Sequence, residues 1–137
     1  MRTFSRLLFA LFLATVFFSC KKDGASSSNS ILGTWNIVSD ELKEYENGTL
    51  VSDNVYTGAD ADEKSIRFDD NNTAFVVGSD NTASSEAYTY DAQSKLLLIN
   101  DETFVIRTLT SSSLVMFNAS PTESSTDRDE TIITWKR

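Results

Sequence analysis

KSIRFDDNNTAFVV, residues 64–77, sets two short apolar segments on either side of four consecutive turn-forming residues. Side chains alternate across a strand, so Ile66 and Phe68 share one face while Ser65 and Arg67 share the other. Asp69 to Asn72 supply the turn, because Asp and Asn tolerate unusual backbone angles and bond their own main chain. The stretch therefore reads as an antiparallel hairpin. Applied to the second half, the same alternation expects Phe75 and Val77 to join Ile66 and Phe68 on an inward face.

Working outward, the pattern repeats. EAYTY (86–90), KLLLI (95–99), TFVIRTL (103–109), SLVMF (113–117) and TIITWK (131–136) are short alternating runs. Asp91 to Ser94, Asn100-Asp101 and Ser111-Ser112 punctuate them. Upstream, one long strand is expected from about Gly33 to Tyr45 and a second from about Thr49 to Tyr56. They are joined by Asn47-Gly48, a strong hairpin signal. Gly58 to Asp62 reads as a loop, and Pro121 to Asp129 as the longest late loop. Evenly spaced short strands with turn chemistry between them indicate an all-β domain over residues 31–137. One apolar face per strand predicts an antiparallel up-and-down β-barrel of about eight strands, whose closure removes sheet edges. A β-sandwich is the runner-up. The expected inward set is Trp35, Ile37, Ile66, Phe68, Phe75, Val77, Tyr88, Tyr90, Phe104, Ile106, Leu114, Met116, Ile133 and Trp135.

The N-terminal part has a different grammar. Arg2 and Arg6 precede an apolar run from Leu7 to Phe18 that only Thr15 interrupts. Twelve helical residues span about 18 Å, short of a hydrocarbon core of roughly 30 Å, so residues 1–19 read as a signal peptide. Ser19-Cys20 resembles the lipobox of bacterial lipoproteins, in which the cysteine becomes the lipid-bearing first residue. Phe17 and Phe18 stand where that pattern usually has Leu and a small residue. Residues 20–30 then form a lipidated Cys20 and a Ser-rich tether. Lys21-Lys22-Asp23 loosely resembles surface-export signals of some Gram-negative lipoproteins, and fits an ordinary solvated linker equally well. Cleavage before Cys20 leaves 10 basic and 20 acidic residues, a net charge of −10. That surface repels nucleic acid and anionic membranes, so acyl chains must do the anchoring. The expected location is the bacterial outer membrane, on either its periplasmic face or the cell surface.

ILGTWNIVS (31–39) resembles the opening of the lipocalin-like domains of small bacterial lipoproteins. SIRFDDNNTAFVV, AYTYDAQSKLLLI and VIRTLTSSSLVM follow in the order of that family's later hairpins. The resemblance covers essentially all of residues 31–137. It implies that Gly33 and Trp35 begin the first strand and that Trp35 packs across a closed barrel end. A late basic residue, Lys136 or Arg137, would cover it by cation–π contact.

The chain has no histidine and one cysteine. This excludes Ser-His-Asp and Cys-His catalysis and the usual zinc sets, and the phosphate-loop pattern is absent. No enzyme activity, cofactor or metal is expected. Paired-acid hydrolysis is the least favoured option, because the acids cluster in turns such as Asp60/Asp62/Glu63. Arg67 and Arg107 are expected to point outward; a one-residue register offset would bring both inside. An eight-stranded barrel either fills with side chains or holds one small ligand. If a pocket exists, Tyr88, Tyr90, Phe75, Phe104 and Met116 are its expected residues. The sequence thus favours a monomeric, lipid-anchored envelope module that binds a small apolar or amphipathic molecule. The alternative is an accessory or inhibitor lipoprotein with a filled barrel that binds another envelope protein.

Overall fold

The computed structural model describes residues 29–121 and 126–137. The signal-peptide reading, Cys20 and all but the last two residues of the tether lie outside the described residues. Among the described residues there are nine strands: β1 (Gly33–Glu46), β2 (Thr49–Thr57), β3 (Glu63–Phe68), β4 (Thr73–Gly78), β5 (Ala83–Asp91), β6 (Leu96–Ile99), β7 (Glu102–Leu109), β8 (Ser113–Pro121) and β9 (Arg128–Lys136). A single turn of 3-10 helix at Gly58–Asp60 links β2 to β3. Every pairing is antiparallel.

β3 to β9 follow one another as a meander, and β1 pairs with both β3 and β9. The sheet therefore closes on itself as an eight-stranded barrel made of β1 and β3–β9. That closure decides against the sandwich, which needs two separate sheets. β2 is the ninth strand and stands outside the ring. The first four residues of β1 pair with β3, and its last eight pair with β2. Both partners use the same edge of β1, so β2 occupies the upper length and, among the described residues, pairs with β1 alone. The β1–β2 turn has Asn47 at φ 49° and Gly48 at φ 77°. Positive φ at both central residues is the twist-matched geometry of a two-residue hairpin.

The core is one cluster on the barrel axis. Trp35, Phe68, Leu97, Ile106, Leu114 and Met116 are its largest fully enclosed side chains. Ala74 is fully buried too, and Val76 packs against the cluster. This corrects the expected face of β4. Phe68 pairs with Ala74, Arg67 with Phe75 and Ile66 with Val76. Directly paired residues share a face, so Ala74 and Val76 point inward and Phe75 and Val77 point outward. Ala-Phe-Val-Val is apolar on both faces, and alternation alone does not choose between them. The turn geometry does, through the bond from the Asp69 amide to the Thr73 carbonyl (2.9 Å).

Arg67 and Arg107 are on the exterior. The Arg67 guanidinium lies 4.5 Å from the Phe75 ring centre and pairs with Asp69 at 3.0 Å. Arg107 lies 3.5 Å from the ring centre of Phe117. Each arginine thus covers an outward aromatic ring.

Candidate functional site

The two ends of the barrel are built differently. At one end lie the chain's entry into β1 and the turns after β3, β5 and β7. Trp35 is fully enclosed there, and its indole Nε1 donates to the Ile31 carbonyl at 2.7 Å. The Arg137 guanidinium lies over the Trp35 ring, 4.1 Å from its centre. Arg137 also donates to the carbonyls of Ser30 (2.8 Å) and Leu32. Gly33 has φ 107°, a conformation that residues with a Cβ rarely adopt. It turns the chain so that both carbonyls face that guanidinium. Tyr88 meets Phe68 edge-to-face at 4.9 Å, and its hydroxyl donates to the Asp69 carbonyl at 2.7 Å. Tyr90 is half-buried against the same end, in a surface recess with Lys95, Ile106 and Leu109. This end is shut.

The opposite end carries a cavity of about 280 Å³. Its apolar floor is Ile66, Val76, Ile99, Phe104, Met116, Ile133 and Trp135, and its polar rim is Glu63, Ser84, Glu86, Asn100 and Glu102. Seven of the eight ring strands contribute. The volume sits at the lower edge of the roughly 300–1,000 Å³ typical of small-molecule sites. A second recess, lined by Asp40, Leu42, Tyr56, Asp60, Asp62 and Thr131, stands between the end of the barrel and the β1–β2 arm.

Among the five residues named from the sequence as pocket-lining, the structure brings Phe104 and Met116 together on the cavity floor. Tyr88 and Tyr90 are corrections. Both lie toward the shut end, and the Tyr88 hydroxyl is already committed to a backbone carbonyl. Phe75 is a third correction, since it faces out beneath Arg67.

Sequence reasoning missed the carboxylates. Glu86 stands two residues before inward Tyr88, and Glu102 two before inward Phe104, so simple alternation places both inside. Glu63 and Asp40 were hidden by bulges. The β3–β4 register shifts between Glu63 and Ser65, so Lys64 is the extra residue and Glu63 pairs with Gly78 on the inward face. The β1–β9 register shifts between Ile37 and Ser39, so Val38 is the extra residue. Asp40 then pairs with inward Ile133 and shares its face.

The electrostatics follow from that crowding. Burial pushes the Glu63 carboxyl above its ordinary range, and repulsion from Asp40, Asp62 and Glu102 pushes it further. Burial raises Asp40 as well, helped by Asp62. One Asp40 oxygen, Oδ1, is buried with no hydrogen-bond donor, and the buried Trp135 Nε1 has no acceptor. Among the described residues, neither recess is lined by a Lys or Arg. Among the described residues, no three acids are grouped so as to hold a metal ion.

These features define an eight-stranded antiparallel barrel with one shut end and one open, acid-rimmed end. No family model matches the chain, and no curated protein matches it. Among solved structures, a deswapped triple mutant of bovine odorant binding protein matches with a TM-score of 0.42 at 15% identity. The match covers 77% of this chain and 72% of that one. The barrel itself rests on the strand pairing described above.

Proposed function

We propose that the protein is a lipid-anchored, lipocalin-like binding module of the bacterial cell envelope, with a small amphipathic molecule held in the open-end cavity. The observation that carries this reading is the cavity. The core is packed solid at one end, yet seven strands leave an apolar-floored space with polar groups at its mouth. A protein interior ordinarily closes such a space, because voids forfeit contact energy. Binding is favoured over catalysis, since the rim holds carboxylates and one serine, and the chain has no histidine to activate that hydroxyl. Native mass spectrometry of the protein purified from its own envelope tests it. A small mass that persists in the folded state and leaves on denaturation is the expected result. A clean unliganded mass in repeated preparations would count against the cavity.

The anchor is a separate part of the proposal and rests on the residues around Cys20. Cys20→Ser should abolish fatty-acid labelling and processing; normal maturation of that variant would refute it.

A specific observation favours a second reading, docking to another envelope protein. Among the described residues β2 has one unpaired edge, and its Leu50, Val51, Val55 and Tyr56 are 41–58% exposed. An exposed apolar edge strand is a ready template for strand addition. Replacing Val51 and Val55 with Lys should abolish capture of a protein partner while leaving small-molecule binding intact.

A further inference from the structure

The charge at the open end narrows the kind of molecule that fits it. Glu63, Glu86 and Glu102 stand on the rim of the cavity, and Asp40 and Asp62 line the neighbouring recess. Asp40, Asp62 and Glu102 each repel Glu63. Among the described residues, no Lys or Arg lines either space to balance them. Crowding like charges around an apolar floor costs stability, and a cation entering the mouth would relieve it. The buried Oδ1 of Asp40 lacks a donor. Unmatched buried acceptors are rare in folded proteins and call for a donor from elsewhere. Trp135, 2% exposed and part of the cavity lining, has an indole N–H without an acceptor. The buried groups left unmet are thus one Asp40 oxygen, in the recess beside the mouth, and one neutral donor on the cavity lining. An inorganic cation fits this poorly. Among the described residues, no three acids are grouped as metal ligands. Metal binding needs several oxygens converging on one point.

Resting on the cavity reading above, we propose that the ligand is an organic cation: a compact apolar body on Ile66, Phe104, Met116 and Ile133, bearing an amine that sits among Glu63, Glu86 and Glu102. The amine balances carboxylates that no described Lys or Arg of the cavity lining offsets. The apolar body supplies most of the binding energy, at about 25 cal/mol per Å² of surface buried. An acidic mouth also draws cations in and turns anions away, so charge acts on association as well as on the bound state.

Three probes of similar size and shape test this: 2-phenylethylamine, 2-phenylethanol and 3-phenylpropionate. Each is titrated calorimetrically into the full chain in a non-ionic detergent, with detergent-only titrations subtracted. The expected order is amine, then alcohol, then carboxylate, with the amine at least about tenfold tighter than the alcohol at low salt. Added salt should narrow that gap. The double variant Glu63→Gln/Glu102→Gln should lose the amine's advantage and keep the alcohol's affinity. Equal binding of amine and alcohol to the unmodified protein, or tighter binding of the carboxylate, would overturn the cationic ligand and leave the cavity standing. Failure of all three to bind would overturn the cavity together with it.

Discussion

The shut end and the open end of this barrel are made by the same strands, yet they treat polar groups in opposite ways. At the shut end every polar atom discussed has a partner. The Trp35 indole reaches Ile31, the Tyr88 hydroxyl reaches Asp69, and Arg137 caps Trp35 while binding two carbonyls. At the open end Asp40 Oδ1 and Trp135 Nε1 are unmet, and the carboxyls of Asp40 and Glu63 are displaced upward, first by burial and then by neighbouring carboxylates. Unmet buried polar groups and crowded like charges cost free energy. The shut end holds the fold together, and the open end retains strain of a kind that a ligand can relieve. Natural proteins concentrate such departures from local consistency at functional sites.

The sharpest way to break this contrast is Trp35→Ala. It empties the centre of the shut end and should cost roughly 3–5 kcal/mol in chemical denaturation. An unchanged unfolding midpoint would mean that this end is not the anchor of the fold. Arg137→Ala should cost less, about 1–2 kcal/mol, through loss of the cation–π contact and of charge-assisted bonds to two carbonyls.

At the open end the sign should reverse. The folded-state pKa of Asp40 is raised above its unfolded value, so its ionised form opposes folding at pH values above the folded pKa. As the pH falls into the ordinary carboxylate range, the folded protein takes up the proton first and the penalty fades. Glu63 behaves in the same way. Asp40→Asn and Glu63→Gln should therefore raise the Tm at neutral pH, each by the equivalent of less than about 1 kcal/mol, because solvent screens these partly exposed groups. The gain should vanish on acidification. The other groups facing these two carboxyls are Asp62 and Glu102, which add to the repulsion. A loss of stability on neutralisation would show that the acids make contacts that hold the open end together.

The smallest effect is expected outside the barrel. Arg107→Ala uncovers Phe117 and removes one exposed cation–π contact, for about 0.5–1 kcal/mol. Phe75→Ala should leave small-molecule binding unchanged, whereas Phe104→Ala alters the cavity floor and should change it.

Much of this was legible in the residues. The turn clusters located the strand boundaries, because Asn, Asp, Gly and Ser occupy backbone angles that strands do not use. Asn72, Asn81, Lys95 and Asn100 all adopt positive φ at or near such breaks. Alternation placed Phe104, Ile106, Leu114, Met116, Ile133 and Trp135 inside. It failed at β4, where both faces are apolar, and at β1 and β3, where bulges shift the phase by one residue. Those shifts turn Asp40 and Glu63 inward. A bulge depends on how two strands pair, and one strand's sequence does not record it.

By itself, then, the sequence determined the class of fold, the order of strands and turns, and the large apolar side chains that fill the shut half. These follow from local conformational preference and from burying one face of each strand. The tertiary structure alone decided that β1 joins β9 to close the ring, that β2 is left outside it, and that three inward carboxylates gather at one mouth with Asp40 in the recess beside it. Those features arise from pairing between residues distant in the chain, where register and sheet closure set which side chains meet.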